Sequence, residues 1–379
     1  MNNHKERDHA LLSASSAYRW LECPPSAVAA EMYTEVETEF AAEGTLAHEV
    51  AEAIADGATS KQLAEMRKEN PDITVEMIEC AEAYREYIHT HSTSKSITLL
   101  EQRVDFSPWV PDGFGTCDCI IIHDETLIII DYKYGVGVPV SATDNPQMKL
   151  YALGAMNDFG FAYDVKKVEM HIFQPRINNT SDFELTTEEL LNWAEKTVKP
   201  IAQKAIKGKG KYKAGSHCKF CPHAGRCRTL TKTCREYVET HSLRAAVPVL
   251  APHEVAEVLS MEPLISVWLR AVKAQAMTTL LDGGDVPGYK VVEGRGTRTW
   301  TEDIKVVNTL LGDGLLMEDI TRTELLSPAA LEKAIGKKKV AELLGQYITI
   351  KTGAPALATI KDKRPAYDKL AEAQKDFAD

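Results

Sequence analysis

The stretch TLIIIDYKYG at residues 126–135 sets four aliphatic side chains, residues 127–130, directly ahead of Asp131, Tyr132 and Lys133. An aliphatic run of this length reads as a strand buried on both faces. Residues two apart on a strand share a face, so Asp131 and Lys133 point the same way. Upstream, GTCDCIII at residues 115–122 reads as a partner strand, and residues 123–125 as the turn of a hairpin. Asp118 then comes level with Asp131 or its neighbour across the ladder. Two carboxylates and an ammonium gather beside a buried sheet, where like charges are costly unless a divalent cation sits between them. Hard carboxylate oxygens suit Mg²⁺ or Mn²⁺. Lys133 beside such an ion can steady a phosphate or help deprotonate an attacking water. The plainer reading is an ion pair on a solvated hairpin face, and the isoleucine run argues against it.

Around the hairpin the chain reads as helix 13–30, broken after Cys23 by Pro24 and Pro25, then helices 39–57 and 74–92 and a strand over 96–104. After the hairpin come a helix over 145–160 capped by Asn145 or Asp144, a strand over 165–177 and a helix over 186–206. This order predicts an α/β fold in which a mixed central sheet is flanked by helices. Beyond residue 240 the pattern becomes mainly helical, so domains are expected at 1–240 and 241–379.

With 379 residues, 44% hydrophobic and 26% charged, the composition is that of a globular protein. No apolar run reaches the ~18 residues of a membrane span, and the opening MNNHKERDHALL lacks the apolar core of a secretory signal. The expectation is a cytoplasmic chain with reduced thiols and no membrane partner. A net charge of −11 argues against a protein that coats nucleic acid non-specifically. Charge is uneven, however: residues 196–235 hold many Lys and Arg and no Asp or Glu, whereas residues 30–80 are acidic. That polarity fits one anion-binding face.

His48, a single imidazole on a small and apolar helix face, reads by itself as a packing residue. Gln147 and Tyr151, four apart, share a helix face and by themselves read as surface amide and core aromatic. Their order is more telling: His48 in Gly-x-x-x-His-Glu, Asp118 in Gly-x-x-Asp, Asp131-Tyr132-Lys133, then Gln147-x-x-x-Tyr151. The series resembles the PD-(D/E)XK nucleases of the RecB type, and the whole chain resembles a phage-encoded family of such proteins found among replication and recombination genes. The resemblance implies a restriction-endonuclease-like core and a metal-dependent DNA exonuclease. It implies that His48, Asp118, Asp131 and the Tyr132 carbonyl bind Mg²⁺ or Mn²⁺, that Lys133 is the catalytic lysine, and that Gln147 and Tyr151 shape the site against DNA. Asp131 stands where the commoner residue is Glu, a choice the family pattern allows. Expected partners are DNA ends or single strands and a phage single-strand-binding or recombination protein, in a bacterial host cytoplasm. The rival expectation is a catalytically silent DNA-binding or scaffold protein on the same fold.

HCKFCPHAGRC places Cys218, Cys221 and Cys227 on one loop, three soft ligands for a metal. Residue types alone leave the fourth ligand open among Cys23, Cys234, His217 and His223. In some RecB-like nucleases one cysteine ahead of the core joins three behind it around a [4Fe–4S] cluster, and Cys23 with Cys218, Cys221 and Cys227 matches that layout. Zinc is the alternative occupant. Cys80, Cys117, Cys119 and Cys234 then remain ordinary thiols, with Cys117 and Cys119 both expected on the face opposite Asp118. Farther on, Arg295, Arg298, Trp300, GKKK at 336–339 and KDKRP at 361–365 read either as nucleic-acid contacts or as solvated turns.

Overall fold

The computed structural model describes residues 10–33, 38–160, 162–242, 251–292, 305, 311 and 327–348. Its centre is a sheet in the order β1 (Ile97–Asp105), β2 (Phe114–His123), β3 (Thr126–Tyr132), β4 (Lys167–Gln174) and β5 (Asn179–Thr186). Neighbours run antiparallel except β3 and β4, which are parallel. A parallel pair needs a crossover, and helix α6 (Pro146–Phe159) lies within it. The sheet is therefore mixed and flanked by helices, as the hydrophobic pattern predicts.

Strand alternation sorts the isoleucines into two cores. Ile120, Ile122, Leu127 and Ile129 join Met148, Leu150 and Leu153 of α6, along with Trp20. Ile121, Ile128, Ile130 and Tyr132 instead join Val50, Ile54, Met77, Tyr84 and Ile88. The latter belong to α3 (Glu39–Ala55) and α5 (Val75–His91). Both faces of β2 and β3 are thus covered, which explains why their aliphatic run is continuous rather than alternating. One detail corrects the sequence reading: Cys117 lies in the α6 core and Cys119 in the α3/α5 core. Opposite them β1 puts Glu101 in the left-handed region at φ 42°, with Leu100 and Gln102 pairing Cys119 and Cys117 around it. The interruption breaks the alternation on which a shared face depends.

The N-terminal helix splits into α1 (Ala17–Glu22) and α2 (Ser26–Ala30), with Cys23 in the bend before the two prolines. Helix α4 (Ser60–Glu69) and strand β5 are among the elements that escaped the sequence reading. The helix buries no residue and is held by a capping box between Thr59 and Gln62. Strand β5 is an edge strand whose burial alternates residue by residue. The expected helix over 186–206 is α7 (Thr187–Trp193) and α8 (Lys199–Ala205) joined by a π-helical turn at Ala194–Val198. Pro200 accounts for the wider turn, because its ring would clash with the carbonyl four residues back in an α-helix.

Helix α9 (Arg228–Ser242) precedes α10 (Pro252–Leu281), whose Leu264, Trp268 and Ala271 pack on Cys218, Leu230 and Cys234. The chain divides into two compact units, Met1–Thr323 and Glu324–Asp379. The second contains α11 (Pro328–Ile335) and α12 (Lys337–Leu344), with the GKKK segment at the start of α12. Arg295, Arg298, Trp300 and residues 361–365 lie outside the described residues. Among the described residues no helix is long and apolar enough to cross a membrane.

Close approach of α6 to β1 is possible because residue 154 is glycine: a Cβ there would stand 2.8 Å from Val104 Cβ and Cγ2. Gly154→Ala should lower unfolding stability by about 1–2 kcal/mol, overpacking outweighing the ~1 kcal/mol helix-propensity gain. Guanidinium titration followed by circular dichroism measures it, and an unchanged midpoint would contradict the close approach.

Candidate metal and catalytic centre

The centre forms where β2 and β3 run past their shared ladder. The last rung of that ladder is Cys119 with Ile130, so Asp118 and Asp131 follow on the same level. There the strands are joined differently: the Tyr132 N–H donates to Asp118 Oδ2 at 2.7 Å. On the other side the Lys133 N–H donates to the Phe173 carbonyl at 2.9 Å. A trans peptide points its carbonyl opposite its N–H, so the Tyr132 carbonyl faces the β2 side, where Asp118 stands. The Asp131 carboxylate is buried, with Oδ1 accepting from Gln147 Nε2 at 3.1 Å and Oδ2 lying 2.8 Å from Lys133 Nζ.

His48 reaches the same place from α3. Its Nδ1 is 3.6 Å from Asp118 Oδ1 and 4.0 Å from Glu101 Oε1. The Tyr132 ring meets the imidazole edge-on with centroids 5.4 Å apart, and Tyr84 packs behind at 4.9 Å. A single residue thereby serves both sides, with its backbone on Asp118 and its ring under His48. Arg176 braces the approach of α3, pairing with Glu43 at 3.3 Å and Glu76 at 3.2 Å while its guanidinium lies 4.3 Å over Tyr134.

Glu101 is the member that sequence reasoning missed. A lone acid inside the apolar strand ITLLEQRV was the available signal, because antiparallel pairing with β2 sets it opposite Asp118. One ligand atom each from His48, Glu101 and Asp118 lies within 4.8 Å of the others. Holding a glutamate at positive φ costs about 1–3 kcal/mol, the kind of strain that collects at functional sites.

Electrostatics follow from three acids in a poorly solvated corner. Burial, then Asp118, Glu52 and Asp131, raise the Glu101 carboxyl to about 8. Burial and Asp131 raise Asp118 to about 6 against the opposing pull of His48 and Lys133. Burial disfavours the Lys133 ammonium, but Asp131 and Asp118 overcome it and leave its pKa above the ordinary lysine value. Lys133 is therefore a fixed positive charge at neutral pH rather than a base. Tyr151 Oη accepts from Gln147 Nε2 at 3.2 Å, and burial with Asp131 and Asp118 raises the phenol, keeping it protonated. Its ring passes β2 because residue 115 is glycine, where a Cβ would stand 2.9 Å from Tyr151 Cε1. Gln147 and Tyr151 thus act on Asp131 from behind.

A divalent cation fits this donor set. Asp131 Oδ2 is buried with no donor at good hydrogen-bond angle, the Lys133 contact notwithstanding, and imidazole nitrogen with carboxylate oxygens suits a hard or borderline ion.

The cysteine segment forms a separate cluster. Cys23 accepts from the Lys213 N–H at 3.5 Å, and Cys227 from the Leu230 N–H at 3.4 Å. Burial raises the Cys218 thiol to about 11, and the charges of Cys221, Cys227 and Cys23 add to the rise. Tyr18 bonds Ser216 and Lys213 pairs with Glu22, fastening α1 to this segment. Of the other candidate ligands, His217 Nε2 contacts the Lys213 carbonyl at 2.8 Å and His223 Nδ1 the Tyr33 hydroxyl at 3.1 Å. Cys234 is buried beside Leu230. Among the described residues no three cysteine sulfurs lie within 4.8 Å of one another.

Comparison with solved structures gives a similarity to the crystal structure of SSO0001, at 15% sequence identity and a TM-score of 0.29, covering 60% of this chain and 90% of that one. A family model matches residues 9–365. Spanning nearly all of the sequence, that match shows that the chain belongs to the family described as protein of unknown function, DUF2800.

Proposed function

We propose that the protein is a metal-dependent deoxyribonuclease of the RecB-like PD-(D/E)XK type, hydrolysing phosphodiester bonds at DNA ends or in single strands. The observation that carries the reading is the convergence of His48, Glu101, Asp118 and Asp131 beside the Lys133 ammonium. Mg²⁺ or Mn²⁺ would be held by His48, Glu101, Asp118 and Asp131, with the Tyr132 carbonyl facing them, and would polarise a phosphate and acidify water. Lys133 contributes a permanent charge that steadies the extra negative charge on phosphorus-bound oxygen in the transition state. Asp131 orients that ammonium at 2.8 Å, and Gln147 fixes the carboxylate by its other oxygen. Tyr132 sets Asp118 and His48 together, so neither can turn away without losing a backbone hydrogen bond or a ring contact.

For the cysteines we propose a [4Fe–4S] cluster held by Cys23, Cys218, Cys221 and Cys227. What supports the reading is the arrangement of one cysteine, Cys23, ahead of the sheet and three behind it, with Cys23, Cys221 and Cys227 all bearing on the Cys218 thiol. Anaerobically purified protein should contain iron and sulfide and absorb near ~400 nm, and Cys23→Ser should lose both; stoichiometric zinc without that absorbance would exclude the cluster.

Asp131→Ala and Lys133→Ala should each reduce Mn²⁺-dependent cleavage of end-labelled DNA by at least about 10³-fold while circular dichroism stays native. Wild-type rates in either variant would refute the assignment. DNA bound but left uncut by the unaltered protein with both metals would instead mark a binding scaffold.

The raised acids also fix a pH dependence. A folded pKa of about 8 at Glu101, above its ordinary 4.5, means that the native state keeps a proton the unfolded chain has lost. Stability should therefore fall as pH rises from about 4.5 to about 8, with Asp118 adding its share up to about 6. Glu101→Gln should flatten that slope, and Mn²⁺ should raise the melting temperature more at pH 8 than at pH 6, because the ion replaces protons. An unchanged slope in the variant would show that Glu101 is not the proton holder.

A further inference from the structure

A cationic groove of about 570 Å³ runs along the first turns of α9, outside the candidate centre. Arg226, Arg228, Lys232 and Arg235 line it, and so do Glu236 and Glu239, the cations outnumbering the acids four to two. Lys232 and Arg235 make only exposed i,i+4 pairs, at 3.5 Å to Glu236 and 3.3 Å to Glu239. Such pairs are worth about 0.3–0.5 kcal/mol and yield readily to a phosphate. Among the described residues no carboxylate is paired with Arg226 or Arg228, and both are exposed. The surrounding segment, residues 196–235, contains no acid at all.

Three residues before Arg226, His223 belongs to an aromatic group. The ring of His223 stands 5.9 Å from Tyr33 and 6.0 Å from Tyr212, and Tyr212 is 42% exposed. The Arg226 charge bears on both Tyr33 and His223. Several cations close in the chain to a ring group that includes the exposed Tyr212 suit a strand whose bases are free to stack. A duplex hides its base faces and has no use for the rings.

We propose that this face, from Tyr212 and His223 through Arg226 into the α9 groove, binds single-stranded DNA, with bases on the rings and phosphates on the arginines. The proposal rests on the nuclease reading for its substrate class and names where the strand is held; its test separates the two. With the full chain in EDTA, fluorescence anisotropy of labelled dT20 should show binding that Arg226→Glu/Arg228→Glu weakens at least 10-fold. The slope of log K against log salt should become shallower by about 1.4, for two lost phosphate contacts. Tyr212→Ala should weaken binding about 5- to 10-fold with the slope unchanged. Thermal melts and cysteine-cluster absorbance matching the parent protein establish that the variants are folded. Hydrolysis of thymidine 5′-p-nitrophenyl phosphate, a single nucleotide with no strand for the groove to hold, should be unaffected by the arginine pair. Wild-type affinity and slope in the arginine variant, tighter binding of rU20 or of a 20-base-pair duplex, or no binding of dT20 by the parent protein would each overturn the proposal. Loss of dT20 binding in the arginine variant alongside normal cleavage by Lys133→Ala would sink the nuclease assignment and leave the groove standing.

Discussion

Three carboxyl groups crowd the end of a buried sheet, and one ammonium faces them. Like charges about 4 Å apart repel by roughly 4 kcal/mol at the effective dielectric of a protein edge, too much for a chain of ordinary stability to carry without relief. Without a metal, relief comes from protons: Glu101 titrates at about 8 and so is mostly neutral at pH 7. Asp118, at about 6, has mostly given its proton up by then, with the Tyr132 N–H, His48 and Lys133 to compensate. The proton on Glu101 marks where positive charge is lacking. A dication would supply that charge more effectively, and its binding would then be linked to the ionisation of these acids.

The arrangement depends on β3 ending unevenly. Up to Ile130 the strand pairs with β2 and β4 and buries both faces. At Tyr132 the ladder partner on the β2 side becomes a side chain, Asp118, in place of backbone. That exchange opens the space in which Asp131, Lys133 and Glu101 meet while β4 still holds the strand through the Lys133 N–H. The two cores then supply the remaining parts from opposite sides, His48 from α3 and Gln147 from α6. Neither core alone could build the centre.

Legibility in the sequence tracked how local the signal was. The β2–β3 hairpin and the cap at Asn145 are encoded within a few residues, and their elements lie where pattern places them. Helix α4 was invisible because it buries nothing and rests on a cap between polar residues. Edge strand β5 was invisible because its NTSDFELT pattern is half polar. The acid–lysine set was readable through strand periodicity, whereas Glu101 required knowing that β1 pairs antiparallel beside Asp118. Cys117 and Cys119 were misplaced for a related reason: periodicity assumes a regular strand, and the left-handed Glu101 marks where regularity stops.

The cysteine segment raises a different question, why a chain should tie positions roughly 200 residues apart. Loop-closure entropy gives a scale: one crosslink over that span removes about 5 kcal/mol of freedom from the unfolded chain, comparable to the whole stability of a small domain. The tie is also aimed. Cys23 directly follows α1, whose Trp20 is fully buried in the α6 core, so whatever the thiols hold is anchored to the core that presents Gln147 and Tyr151. On the other side Cys227 lies between Arg226 and Arg228, and the turn containing it carries the cations of the groove. A centre on these thiols would therefore be mechanical in effect, fixing the direction in which two exposed arginines face. Because α1 is already packed in that core and Glu22 and Tyr18 already bind the cysteine segment, the cluster would lock a geometry that the protein contacts have largely prepared.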